Sequence, residues 1–556
     1  MKKSLIYTLF IFVLGLQAQA QNDKEYLSIL NDISSNLKVV RTSESEWKQS
    51  LRASGSRPYV ILMTIDGVDK KGKATKNIYE INLTDLDPST LKYEARKDEM
   101  QVKAKTLKGQ SFIKKTENDQ TSKYAGEVVF YADNTDNART LVEAFRKAVP
   151  AAQKIMEQSM KVNPSLNAFK DWLLVNISTI KYGEESYRQS LTYLDTQQPK
   201  VKFIQQKMEK GKTTEDVFEL NLGDFDEKNI TLSTKDPWAY IEIQTKNKLN
   251  YIRHIANGKL SKNDNSIRFY FDNIEKAREG KLWLEKSLPL TSQQQLNALP
   301  SFQGLSQALN FFKNAVKNSE GITQSLNAEC QTVLQVKEGN NTLEYRFFWG
   351  DFNEKSSKIT TSGSHFEFSI ETANRLKYIE VWKNGEKQNY TSSLQFAAED
   401  IETLRPLPNI VGSMIAACRD QRKLILPQGT YETKLSFINS KLGTIQSKNE
   451  ETTQKIEKIS ACTAVFSQET KDSKKSISIK HEFSFSDIDP ASVELQVSGS
   501  QVSIQLSTLN KEKAIKSFKN ETPSDYLNGF KILANDLVTG LALRDTFKAI
   551  VTGCKK

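Results

Sequence analysis

Three residue types in this chain are spaced as though they could carry chemistry: paired aspartates, histidines and cysteines. An Asp-x-Asp or Asp-x-Asn pair stands at four places: Asp85 and Asp87, Asp224 and Asp226, Asp351 and Asn353, Asp487 and Asp489. Two carboxylates two residues apart, on a loop that leaves a strand, can join a calcium site or serve as acid and base. Asp85, Asp87, Asp224, Asp226, Asp487 and Asp489 are therefore candidate calcium ligands. None is followed by the other ligands of a calcium-binding loop, and Pro88 and Pro490 mark a turn. Asp and Asn side chains also fold back onto nearby backbone N–H groups to build such turns, and this structural role is the expected one.

The histidines do not assemble into a site. His254 and His365 follow their aspartates by 30 and 14 residues, and His481 precedes its own by 6, so the three occupy different positions. His481 stands where the other stretches have Tyr79, Phe218 and Tyr345, which argues for packing. No phosphate loop, dinucleotide fingerprint, zinc-protease helix or serine elbow occurs. The expectation is no catalytic residue, no cofactor, and no metal ligand beyond the six aspartates.

What must position these residues is a repeat. The stretches Tyr79–Asp85, Phe218–Asp224, Tyr345–Asp351 and His481–Asp487 align, and at 21 residues past the anchor aspartate stand Thr106, Thr245, Thr372 and Thr508. Seven further come Ile113, Ile252, Ile379 and Ile515, then Asn118, Asn257, Asn384 and Asn520, all without gaps. A fixed period of this length marks tandem supersecondary units. Apolar residues alternate in Ile81/Leu83, Ile230/Leu232, Phe368/Ile370, Ile504/Leu506 and Val128/Phe130, the period of half-buried antiparallel strands. Tyr59 to Thr64 reads as an earlier strand. Asn257-Gly258 and Asn384-Gly385 suit hairpin turns, and the Thr columns read as the preceding hairpin. Helical spacing follows the last strand, over Asp136 to Ala148. It also precedes the sheet at Leu27, Leu30, Ile33 and Leu37, and at Phe169, Trp172, Leu173 and Ile177. Gln49-Ser50-Leu51, Gln189-Ser190-Leu191 and Gln324-Ser325-Leu326 are taken to end that helical region.

The expected fold class is α+β: four tandem repeats, each an N-terminal helix, about six antiparallel strands and a C-terminal helix. The expected modules cover 21–155, 156–297, 298–425 and 426–556, with Pro150, Pro164, Pro289, Pro300, Pro406, Pro408 and Pro427 near the junctions. The cysteines obey the same period. Cys418 and Cys554 each lie 67 residues past an anchor, and Cys330 and Cys462 lie shortly before one. Of the three possible pairings, equivalence selects Cys330–Cys418 and Cys462–Cys554.

An antiparallel meander closed by one C-terminal helix resembles the pleckstrin-homology-like β-roll. The resemblance is one of architecture and covers nearly the whole chain; the leading helix and the missing seventh strand depart from it. It implies that a basic first hairpin could hold inositol phosphates, which points to Lys70, Lys71 and Lys73, and to Lys207, Lys210 and Lys212. A solvated hairpin tip is the simpler reading of those lysines, and shared fold does not establish function.

Lys2 and Lys3, the apolar run from Leu5 to Leu16, and Ala18, Gln19 and Ala20 read as a signal peptide cleaved between Ala20 and Gln21. That run is too short to span a bilayer, and no later stretch is apolar enough to do so. The expected location is the periplasm or the cell exterior, where disulfides persist. Net charge is +11, or +9 without the two signal lysines, spread along the chain with no arginine-rich block. Such a surface does not read as nucleic-acid binding. The sequence thus points to an exported, non-catalytic binding or scaffold protein with an envelope protein or polysaccharide as partner. The other reading is a carboxylate-based envelope glycosidase with an acidic pair between modules.

Overall fold

The computed structural model describes residues 24–316, 318, 321–398, 400–446, 450–472 and 475–555; the signal segment and its Ala20–Gln21 cleavage site lie outside these. The chain divides into two compact units between Ala298 and Leu299. Both mix helix with antiparallel sheet, and the described residues form eight sheets. Among the described residues no helix is long and apolar enough to cross a membrane.

The first sheet shows how the chain is laid out. Strands Val40–Arg41, Ser45–Ala53, Val60–Asp69 and Ala74–Asn82 pair in succession, and Ile113–Glu117 and Gln120–Ala125 extend the sheet. Between them the chain leaves to build Lys92–Arg96 and Glu99–Lys105, which Glu127–Ala132 later joins as a separate three-stranded sheet. The same strand order recurs three more times; the third stretch has five strands in its larger sheet, beginning at Ile322. Among the described residues each stretch therefore holds nine strands, or eight in the third, in two sheets, where the sequence suggested about six in one. The short outer strands carry too little alternation to be read from residues alone.

The sheets part at the anchor aspartate. Residues Leu83–Asp85 and Pro88–Thr90 each make one turn of 3₁₀ helix, and the chain emerges into the other sheet. A second local device returns it. Thr106, Thr245, Thr372 and Thr508 each donate a hydroxyl hydrogen bond to the carbonyl four residues on, at Gln110, Leu249, Leu376 and Glu512. Within these turns Lys108, Asn247, Asn374 and Asn510 have φ between 52° and 56°. They are connections between sheets, not the hairpins expected. The Asn column does form hairpin turns. Asn118, Asn257, Asn384 and Asn520 have φ near 50°, and each side chain accepts a backbone N–H 42 residues upstream, at 2.8 or 2.9 Å.

Helices cover the sheets. A helix over 24–36 (α1) precedes the first strands, with Leu30 and Ile33 buried. Helix α2 (Thr135–Ser159) follows, burying Ala138, Leu141, Val142 and Phe145 against Val102, Ala104 and Phe130. It is capped by Asn134 and continues through Pro150, past the expected boundary at residue 155. Helices α3 (Leu166–Asn176) and α4 (Ile274–Asn297) flank the second stretch, and Pro289 likewise lies inside α4. In the other unit, α5 (Leu305–Ala315), α6 (Ile401–Leu404), α7 (Leu407–Ile425), α8 (Tyr431–Lys441) and α9 (Leu537–Gly553) take their places in chain order. Pro150 and Pro289 are thus helix-interior residues. A proline leaves one carbonyl without its helical donor, and the buried helix faces outweigh that local cost. Aromatic rings fill the core in the first two stretches: Phe130 and Phe145 pack 4.9 Å apart, and Phe203 and Phe269 5.0 Å apart.

Candidate functional site

The second residue of each Asp-x-Asp or Asp-x-Asn pair is a turn cap. Asp87, Asp226, Asn353 and Asp489 accept the N–H two residues on, from Ser89, Lys228, Lys355 and Ala491. The anchors differ. Asp85, Asp224 and Asp351 are buried and Asp487 is exposed. Asp224 accepts from the Gln295 amide at 3.0 Å, and Asp351 receives both terminal nitrogens of Arg422 at 2.7 and 2.8 Å. Gln295 and Arg422 each stand 71 residues past their anchor, on the helix that closes their own stretch. The corresponding residue for Asp85 is Met156, which carries no charge. Asp85 instead takes Arg278 from helix α4 of the following stretch, at 2.6 and 2.7 Å. No cluster of three acid, histidine or cysteine side chains suited to a metal ion occurs among the described residues.

Arg278 anchors a buried charge cluster. Its Nε lies 3.6 Å from Glu275, and Glu275 is only 2% exposed. Asn82 donates to both Glu275 oxygens at 3.1 Å, while its own carbonyl oxygen caps the 3₁₀ turn by accepting from Thr84. Glu275 also sits in the first turn of α4, where the helix dipole favours an anion. Burial pushes the Asp85 carboxyl up to about 6, against the pull of Arg278.

Beside this cluster opens a groove of about 670 Å³. Met156 of α2 and Met160 just past its end, Leu107 and Phe112, and Ile230 and Leu232 form apolar walls. Gln153, Glu157, Lys281 and Glu285 line it with polar groups, and Asp85 and Arg278 also reach it. Lys281 and Glu285 pair with each other at 2.7 Å. Methionine side chains fit apolar partners of varied shape, and sites between packed modules are common places for ligands.

The remaining sequence candidates are local structure. Both ring nitrogens of His254 lie 2.9 Å from carboxylates, Asp216 and Asp264, and the ring stacks on Phe218, so no nitrogen is free to act as a base. His481 is buried between Phe466 and Phe530, and that burial lowers its pKa. Lys70 pairs with Glu44, and the Lys71 and Lys73 backbones bond Asp69. Lys207 pairs with Glu209. The disulfides join Cys330 to Cys418 and Cys462 to Cys554, with Cα atoms 5.5 and 5.8 Å apart. Each ties the start of a strand to the closing helix of its stretch.

The Gln-Ser-Leu signature has a different role from the one expected. Gln49, Gln189 and Gln324 lie in strands, not at helix ends, and Gln454, which lacks the signature, completes the set. Each amide bonds one residue of the other sheet in both directions. Gln49 donates to the Tyr131 carbonyl and accepts its N–H, both at 2.8 Å. Gln189 does the same with Tyr270, Gln324 with Ala397 and Gln454 with Leu533. All four partners stand 46 residues past their anchors, while the glutamines precede theirs by 36, 35, 27 and 33. The partner column was the available signal; the variable offset hid the glutamines' role, and Gln454-Lys455-Ile456 lacks the Gln-Ser-Leu signature.

Comparison of the chain with protein-family models, with curated proteins and with solved structures gave no match.

Proposed function

We propose that the four stretches are diverged copies of one helix-flanked, strand-rich module, and that the chain is an exported, non-catalytic binding protein of the cell envelope. The shared strand order, the four glutamine clamps and the equivalent asparagine turns support the copies. The two disulfides support an oxidising compartment. The observation that carries the binding role is the groove between the first two copies. Its apolar, methionine-bearing walls and interspersed charges suit a polypeptide segment of an envelope protein better than a polysaccharide, whose rings favour flat aromatic platforms.

The test is binding of an immobilised library of unstructured peptides, beside a panel of envelope polysaccharides, to residues 21–556 and to Met156→Trp. Peptide binding that Met156→Trp abolishes while the fold persists supports the reading. Peptides that bind both proteins equally, or neither, overturn it. The glycosidase reading has one specific support, the raised Asp85 carboxyl beside Glu275. Glycan turnover that is lost in Asp85→Asn would install it instead; against it, Arg278 already bonds both Asp85 oxygens.

A further inference from the structure

Within each unit, one copy is seated on the next through the same positions. The residues 27 and 39 past the anchor are Phe112 and Tyr124 in the first copy, and Tyr378 and Tyr390 in the third. All four are buried in the hydrophobic core of the copy that follows. The N–H at the second of these positions bonds a residue 12 past the next anchor: Tyr124 to the Asp236 carboxylate at 2.7 Å, and Tyr390 to the Gly499 carbonyl at 3.3 Å. In the first unit the seating face also presents Asp85, which receives Arg278.

The fourth copy carries this seating face uncovered. Tyr526, in the position of Tyr124 and Tyr390, is 52% exposed. Asp487 is exposed as well, and where Asp85 takes a guanidinium it takes the Ser486 hydroxyl at 3.3 Å. The first copy carries the receiving face equally bare. Asp136 and Arg139, at the start of α2, stand in the positions of Glu275 and Arg278, and their side chains are 90% and 61% exposed. Lys97, in the position of Asp236 and Gly499, is an exposed turn residue with φ 55°, close to the 60° of Gly499.

We infer that the fourth copy of one chain docks on the first copy of a second chain, with Asp487 receiving Arg139 and the Tyr526 ring covered by the receiving sheet. The two faces differ, so the contact is head-to-tail. It closes into a ring if the rotation allows and otherwise extends as a filament. This rests on the reading of four copies, and not on the role of the groove. Peptide binding and self-association can therefore fail separately.

The experiment is sedimentation velocity of residues 21–556 over a range of concentrations, with Asp487→Arg, Arg139→Asp, their equimolar mixture, and Tyr526→Ser. Circular dichroism verifies that each variant is folded. The expected result is concentration-dependent association, weakened about tenfold or more by either reversal alone, since like charges then face each other. Mixing the two reversal variants restores association, because opposite charges again meet at every contact. Tyr526→Ser weakens association with both charges intact. A chain that stays monomeric throughout, association indifferent to both reversals, or a mixture no better than its components would each overturn the proposal.

Discussion

Asp85 and Asp351 occupy the same turn in different units, and their cations arrive from opposite directions. Asp351 is held by Arg422 of its own closing helix. Asp85 has Met156 at that place and is held by Arg278 of helix α4 in the following stretch. Where the first unit has Arg278, the second has Leu541, buried and apolar. Each unit thus supplies one guanidinium to a buried anchor carboxylate, and moving the arginine from one helix to the other changes what else the site can do. With the arginine on the closing helix, the turn is locked within its own stretch. With it on the following stretch, the lock becomes a bond between stretches, and methionines line the space beside it. The first unit joins its two stretches through buried charge; the second carries a disulfide inside each of its stretches.

The largest effect should come from stranding a charge. Arg278→Ala leaves Asp85 and Glu275 buried without a cation and should destabilise the first unit by about 3–5 kcal/mol, read from its urea transition, with the second unit unmoved. Next, removing Cys330 and Cys418 together should cost the second unit about 2–4 kcal/mol. A reductant should likewise lower only that unit's transition, since the first has no cysteine.

The two units should also respond to pH in opposite directions. Between its ordinary value of 3.8 and about 6, the folded state keeps a proton on Asp85 that the unfolded chain has released. The first unit should therefore lose stability as pH rises from about 4 to about 6, by up to about 3 kcal/mol, and Asp85→Asn should remove that slope. His481 is the reverse case: burial favours its neutral form, so the second unit should lose stability as pH falls below its ordinary value of 6.5. Unfolding curves collected across this pH range check both slopes.

A transplant sharpens the comparison further. Met156→Arg combined with Arg278→Leu copies the second unit's arrangement into the first. A double-mutant cycle should return a favourable coupling of about 1–3 kcal/mol. The smallest effect is expected at the clamps. Gln454→Ala should cost about 1–2 kcal/mol and speed hydrogen exchange at the Leu533 amide.

What could be read from residues was what repeats at short range. Period-two runs such as Ile504/Leu506, the asparagine turns and the equal cysteine spacing depend on neighbours within one strand pair or on a fixed offset. The division into two sheets was hidden because it is made by single 3₁₀ turns at Asp85 and Asp87, too short to leave a pattern. The Gln-Ser-Leu strands do not read as strands because a polar residue at an inward position breaks the alternation. Its reason, a bond to the other sheet, lies about 80 residues away; Gln49 and Tyr131 are 82 apart. The Asp85–Arg278 pair joins residues 193 apart in different stretches, and no local spacing encodes it. The equal offset of 71 residues even points away from it, toward Met156.

The glutamine clamps also bear on a hazard built into the architecture. Many small sheets mean many edges, and a bare edge strand is a template on which another chain can add a strand and begin to aggregate. Glu127–Ala132, Ser266–Phe271, Ser393–Ala398 and Gly529–Ala534 are all such edges. In each, the glutamine has already taken an N–H and a carbonyl of one residue near the strand's end. An incoming strand would have to displace a buried or half-buried amide before it could pair there. One side chain in each stretch therefore guards one end of that edge strand against an incoming chain.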